Sequence, residues 1–424
     1  MQTTITPGAA SGTVFAPASK SLAQRALAAA LLCRGETTIT GYTESDDAKA
    51  ALGIIEAAGA YATHDGRGTL TVVGNPPPLA RRDELTLNCG ESGLSARLFA
   101  PLSPLYAREV TLNGRGSLMN RAFGSMMKSP FEQMGIRYSD NGGKLPAKLC
   151  GSLSAAEITI DGSGGSQFLS GLLMTLPLLS GNSLVRVENL KSKPYVDLTI
   201  DTASKFGAEI ENENYNRFFV RGGQVYSGTR FNIEGDWSGA SCLLVAGAIA
   251  GNVEILNLDP ASAQADKAIV EVLRSAGATV RAGMSGGGAS SISVSKGELK
   301  AFVFDATDSP DLFPALAALA VHCRGVSRIK GVGRLAGKES DRAATLRSEF
   351  GKIGATVETD GDYMIVGESR THGATVDSHN DHRIAMSLAV AALACESAVT
   401  VENSECVNKS YPEFWRDLQN LTHR

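Results

Sequence analysis

Near the start of the chain, Lys20, Ser21 and Arg25 bring together an ammonium, a hydroxyl and a guanidinium. Ser21 and Arg25 are four apart, so a helix puts them on one face with Lys20 at its mouth. A point charge, a hydroxyl and a planar fork suit a phosphate or carboxylate. Taken alone, the cluster reads equally well as a solvated helix start. The theme returns at Arg121, Lys338, Arg342, Arg383 and Lys409. Lys338 and Arg342 are again four apart, which on a helix gives a shared ligand face or an exposed ion-pair face. Asp311, behind Pro310, and Glu339, beside Lys338, stand among these cations as candidates for proton transfer. The plainer reading of Asp311 is an acid favoured by the dipole in a first helical turn.

Other segments are weaker signals. The run from Asp161 to Gln167, DGSGGSQ, has the make-up of a phosphate nest, but no Lys follows it as in a Walker loop. Ser192-Lys193-Pro194-Tyr195 occupies the turn equivalent to that of Arg121, and Arg97 reads as a lone surface charge. His379-Asn380-Asp381-His382-Arg383 invites a metal reading, rejected because the chain has only six histidines and no second cluster to complete a ligand set. No nucleophile with an adjacent base and no cofactor fingerprint stands out.

These residues are placed by a repeat. A polar-to-apolar helix start recurs from Ser19, Ser92, Ser166, Ser238, Ser309 and Asn380, in steps of 71 to 74 residues. Each copy is expected to use that Ser or Asn as a cap. About 40 residues after the start, five copies carry a helix ending in Gly, at Gly59, Gly135, Gly207, Gly277 and Gly354, followed by alternating strands with Asp-Gly, Asn-Gly or Gly-Gly turns. One unit is therefore βαβαββ. The sixth stops early, and the extended N-terminal residues TTITPGAASGTVFAP are expected to return to the last units. Six units divide into two domains of three, residues 17–229 and residues 1–16 plus 230–424. The apolar runs are rich in Ala, Leu and Gly on all sides, which marks helices buried all round with sheets outside. Their N-termini, positive ends of helix dipoles, would gather at a cleft between the domains. Seven cations so placed in a chain of net charge −4 imply a focused field for a polyanion.

Composition sets the outer limits. With 424 residues, 43% hydrophobic and 20% charged, the chain is in the globular range. Its charge balance provides no basic track for nucleic acid. No apolar run reaches the roughly 18 residues of a membrane span. MQTTITPGAASG lacks the pattern of a signal peptide. Seven scattered cysteines without a CxxC pair fit reduced thiols, and a cytoplasmic location is expected.

Over its whole length the chain resembles the 5-enolpyruvylshikimate-3-phosphate synthase family. The resemblance is carried by SKSLAQRAL, SDDAKAAL, GESGLSAR, DGSGGSQFLSGLLMTLPLL, SKPYVDLT, SPDLFPAL, KESDR, NDHRIAM and CVNKSYPEFW. It implies an α/β fold of two inside-out α/β barrel domains, three βαβαββ units each with pseudo-threefold symmetry, and an active site in the interdomain cleft. It implies transfer of the enolpyruvyl group of phosphoenolpyruvate to the 5-hydroxyl of shikimate 3-phosphate, with release of phosphate, through a tetrahedral intermediate. Lys20, Ser21, Arg25, Gly165, Ser166, Gln167, Ser192, Tyr195, Asp311 and Lys338 would hold shikimate 3-phosphate. Lys20, Gly93, Arg121, Gln167, Arg342, Arg383 and Lys409 would hold phosphoenolpyruvate. Asp311 would be the base on the hydroxyl and Glu339, aided by Lys20, the acid for the methylene carbon. No metal or organic cofactor, no nucleic acid and no membrane partner is implied, and a monomer is expected. Ala18, Glu91, Leu94, Gly165 and Arg334 depart from the family's usual residues. Glu91 and Leu94, near Gly93, are expected to weaken phosphoenolpyruvate binding and glyphosate binding more; the alternative is that Glu91 points away and pairs with a cation such as Arg97 or Arg115, leaving the pocket unaffected. Two rivals are the sister transferase acting on UDP-N-acetylglucosamine, which has Lys-Asn where this chain has Lys20-Ser21, and a binding-only repeat scaffold.

Overall fold

The six apolar runs form helices at Lys20–Leu32, Gly93–Leu102, Gln167–Thr175, Trp237–Ala250, Phe313–Ala320 and His382–Ala392. The computed structural model describes residues 1–284 and 288–422. Every residue of Phe313–Ala320 and all but the last of Trp237–Ala250 are buried, so these helices have no solvent face to advertise by periodicity. Small residues set how closely they approach. At Gly171 a Cβ would stand 2.4 Å from the carbonyl oxygen of Leu98 on the neighbouring helix. Even an alanine there would have to force the helices apart, at a cost of about 1–3 kcal/mol.

Capping differs from expectation in part. Ser92 accepts a hydrogen bond from Ser95 N at 3.2 Å as anticipated. Ser166 and Ser309 stand at cap positions without a side-chain cap bond. In the fourth and sixth copies the cap is an aspartate: Asp236 accepts from Ser238 N and Asp381 from Arg383 N. Their carboxylates outcompete the Ser238 and Asn380 side chains because a charged acceptor bonds an orphan N–H more strongly. The five predicted helix-ending glycines all lie in the left-handed region, φ +84 to +102.

The chain forms two compact units, Lys20–Ile233 and Met1–Ser19 with Glu234–Arg424. They divide a few residues later than residues 17–229 and 230–424 because Arg230–Asn232 is still a strand of the first, parallel to Thr38–Thr40. Each unit carries three main sheets. Within a full repeat, the strand before the buried helix runs parallel to the strand after it, and a hairpin adds two antiparallel strands, as in Arg82–Asn88, Ala107–Asn113, Lys144–Gly151 and Ile136–Asn141. The N-terminal segment serves two sheets. Gln2–Ile5 pairs antiparallel with Val399–Glu402 in the sixth copy, and Ala10–Phe15 lies parallel to Gly251–Leu256 in the fourth. Within each unit the buried helices pack on one another and the sheets lie against them. Among the described residues, no helix is long and apolar enough to cross a membrane.

Candidate active site

In the unit Lys20–Ile233, Lys20 opens its helix with Nζ 3.2 Å from Asp47 Oδ2. Asp47 lies in the first turn of Asp46–Ala57, where the dipole favours a carboxylate, and gives the largely buried ammonium a partner. One turn on, the buried Arg25 donates from Nη1 to Ser21 O (2.9 Å) and Ser21 Oγ (3.2 Å). Its Nε donates to Thr199 Oγ1 (2.8 Å), and its Nη2 to Ser170 Oγ (3.3 Å) and Tyr195 O (3.2 Å). Ser21, Arg25 and Tyr195 thus come together through helices of two repeats. Among the described residues, all hydrogen-bond partners of Arg25 are uncharged oxygens, and burial pushes the guanidinium down to about 10, Tyr195 opposing. Ser192 sits at φ +60 just before the helix Lys193–Lys205 that carries Tyr195 and Thr199.

The second repeat brings two guanidiniums to one glycine. A Cβ on Gly93 would lie 2.6 Å from Arg121 Nη1 and 2.9 Å from Arg97 Nη1. The bare Cα is what allows both to approach. Arg97 is no lone surface charge. It donates to Gln167 Oε1 (3.1 Å), Gly93 O (3.2 Å) and Ala122 O (3.3 Å), and it lies 4.4 Å above the Phe123 ring. Its i+4 spacing from Gly93 was the available signal. Gln24 ties this helix to the first: its Oε1 accepts from Ser92 Oγ (3.0 Å) and Ser95 Oγ (2.8 Å). The Glu91 carboxylate accepts from Ser117 N (3.1 Å) and Ser117 Oγ (3.0 Å), and Leu94 is buried. Ser166 is buried at the mouth of the helix beginning at Gln167, and Gly165 precedes it at φ +121.

In the other unit the charges form one connected network. Asp311 lies 2.6 Å from Arg342 Nη1, 3.3 Å from Lys338 Nζ and 3.3 Å from Arg383 Nη2. Arg342 also grips Asp381 with Nε (2.8 Å) and Nη2 (3.2 Å), and Nη2 donates to Glu339 Oε2 (2.7 Å). Glu339 Oε1 lies 3.6 Å from Lys409 Nζ. Arg383 Nη1 donates to Ser238 O (3.3 Å), and Ser238 Oγ donates to the buried Asp266. Lys338 and Glu339 belong to the turn before the helix Arg342–Lys352, not to the helix itself. Lys338 and Arg342 therefore converge through Asp311 rather than through i+4 geometry.

The network sets proton affinities. Burial would raise Asp311, but Arg383, Lys338 and Arg342 outweigh it and hold the carboxyl well below the usual range. Burial opposes charge on Arg342, yet Asp381, Glu339 and Asp311 hold it well above normal. Asp266 goes the other way: burial first and Asp311 second push it up to about 6. Burial lowers Lys338, with Asp311 opposing. Asp47, Thr199, Ser170, Asp266 and Asp381 were missed as candidates because nothing in their own segments separates them from caps and core polar groups. Chemically, one unit offers buried hydroxyls and guanidiniums for anions. The other offers an ionised carboxylate within reach of three cations, next to a second acid, Glu339, that shares Arg342 with it and also faces Lys409.

A family model described as EPSP synthase (3-phosphoshikimate 1-carboxyvinyltransferase) matches residues 5–418. The 3-phosphoshikimate 1-carboxyvinyltransferase of Clostridium acetobutylicum is 39% identical over 420 residues, covering 98% of this chain and 96% of its own. That of Clostridium novyi is 37% identical over 427 residues, covering 98% and 96%. An EPSP synthase structure from Acinetobacter baumannii aligns with a TM-score of 0.79 at 25% identity, covering 99% of this chain and 98% of that one.

Proposed function

Because this chain belongs to the EPSP synthase family and so transfers the enolpyruvyl group of phosphoenolpyruvate to shikimate 3-phosphate, we propose a division of labour between its two sets of polar residues. Lys20, Ser21, Arg25, Gly165, Ser166, Gln167, Ser192, Tyr195, Asp311 and Lys338 hold shikimate 3-phosphate. Gly93, Arg121, Gln167, Arg342, Arg383 and Lys409 hold phosphoenolpyruvate, and Lys20 serves both.

The observation that carries this reading is the Asp311 carboxylate shared by Lys338, Arg342 and Arg383. Held well below the ordinary carboxyl range, Asp311 is ionised throughout the neutral region and ready to accept the 5-hydroxyl proton. The same cations make it a weak base. An anionic donor draws those cations toward itself, which weakens their grip on Asp311 and raises its proton affinity when both substrates are bound. The hydroxyl oxygen then bonds to C2 of phosphoenolpyruvate, its proton passing to Asp311, while C3 takes a proton from Glu339. In the second step the C2–O bond to phosphate breaks, phosphate leaves with the electron pair, and C3 returns a proton to the Glu339 carboxylate to restore the double bond. Arg342, Arg383 and Lys409 stabilise the charge on the departing phosphate and on the carboxylate.

Seven unpaired cysteines support a reducing compartment, and the reading includes a monomeric enzyme of the cytoplasm. The test is phosphate release from phosphoenolpyruvate with shikimate 3-phosphate as acceptor and UDP-N-acetylglucosamine as control. Release with the first and not the second is expected. Release with UDP-N-acetylglucosamine alone, or binding of both substrates without release, would overturn the assignment.

A further inference from the structure

We infer that Glu91 is a positioning residue that fixes the turn from which Arg121 reaches the donor site; this rests on the reading that Arg121 holds phosphoenolpyruvate. Residues 89–93 and 113–121 run side by side, joined by Cys89 N to Asn113 O (2.8 Å) and Arg115 N to Gly90 O (2.8 Å). Beyond those backbone bonds, Glu91 supplies a side-chain clamp. Its Oε2 takes both the backbone N–H and the hydroxyl of Ser117. Ser117 lies in the short turn Gly116–Asn120, and Arg121 follows it directly, with Arg121 N donating to Leu118 O at 3.2 Å.

The turn is shaped to admit the carboxylate. Gly116 has φ +55, and a Cβ there would stand 2.3 Å from Glu91 Oε1. Leu118 is buried and pins the other side of the turn, against Gly114. Gly93, two residues from Glu91, is where the Arg121 guanidinium rests. One short loop therefore governs both ends of Arg121: Glu91 sets the backbone from which it departs, and Gly93 sets the surface on which it lands. Glu91 takes both Ser117 donors and so bears on the donor site through the turn that carries Arg121.

The test is steady-state kinetics of Glu91→Ala, Glu91→Gln, Ser117→Ala, Arg121→Met and the double variant Glu91→Ala/Arg121→Met. Losing a carboxylate that accepts two hydrogen bonds should raise KM for phosphoenolpyruvate about 10-fold. KM for shikimate 3-phosphate should stay within about 2-fold of the parent. Glu91→Gln, whose amide oxygen still accepts from Ser117, should recover most of the loss. Ser117→Ala, which keeps the N–H bond, should cost about 3-fold and gives an answer even if Glu91→Ala folds poorly. The double variant should match Arg121→Met alone, since the two act as one unit. Additive effects, equal rises in both KM values, or an unchanged KM for phosphoenolpyruvate in Glu91→Ala would overturn the inference while Arg121→Met still shows its own defect. If Arg121→Met itself leaves KM for phosphoenolpyruvate unchanged, the assignment of Arg121 to the donor has failed, and the positioning role falls with it.

Discussion

Among the described residues the hydrogen-bond partners of the buried Arg25 are all uncharged, and that makes Arg25→Met a sharp test of the acceptor site. Burial pushes the guanidinium down to about 10, so keeping it charged costs the folded protein about 3 kcal/mol. The sign follows from linkage. A base with a depressed folded pKa works against folding at neutral pH, and that penalty fades only as pH rises through about 10 toward the unfolded value. Methionine removes the penalty and keeps most of the apolar stem. The hydroxyls it abandons are not orphaned, because Thr199 Oγ1 still lies 2.8 Å from Ser170 Oγ and 2.9 Å from Tyr195 O. Lost hydrogen bonds and a partial cavity set against the relieved charge leave a net change within about 2 kcal/mol in either direction. Binding should behave differently. An anion at Arg25 offsets the burial cost, and truncating one member of such a pair typically costs about 2–5 kcal/mol, or about 30- to 5000-fold in affinity. Urea unfolding gives the first quantity and titration calorimetry with shikimate 3-phosphate the second. A variant that loses more than about 4 kcal/mol of stability yet binds the acceptor normally would show that Arg25 is a structural strut and that the reasoning is wrong.

Two other outcomes follow from the second network. Asp311→Ala should lower kcat by about 100- to 10,000-fold with KM for phosphoenolpyruvate unchanged or reduced, since Lys338, Arg342 and Arg383 lose a competing anion; a KM that rises in step with the fall in kcat would make Asp311 a ligand anchor only. Asp266, pushed up to about 6 by burial and then by Asp311, with Arg383 and Ser238 opposing and Asp236 adding to the rise, favours folding in its protonated form, a contribution complete below about pH 4 and lost as pH rises through 6. Asp266→Asn, which keeps an acceptor for Ser238, should therefore match the parent near pH 4 and exceed it by about 3 kcal/mol at pH 8 in urea unfolding; parallel stability profiles would refute this.

What the sequence by itself determined is whatever a short window encodes. The apolar runs after Ser19, Ser92 and Ser238 are too uniformly Ala-, Leu- and Gly-rich to present a wet face, so their burial was legible. Gly59, Gly135, Gly207, Gly277 and Gly354 announced helix ends because only a residue without Cβ enters the left-handed region cheaply. Lys20, Asp311 and Arg383 were legible because charges at the mouths of buried helices need a reason to be there. Their pairing was not. Lys338 and Arg342 looked like a helical i+4 pair, yet they meet at Asp311 from a turn and a helix start. Asp236 and Asp381 displaced the expected serine and asparagine caps, Arg97 turned to Gln167, and Glu91 turned to Ser117. The two caps were settled two residues away in the same segment; the other contacts were decided by a residue from another repeat or another loop. A buried charge takes the strongest partner that three-dimensional packing brings within about 3 Å, and local spacing carries no information about which one that is.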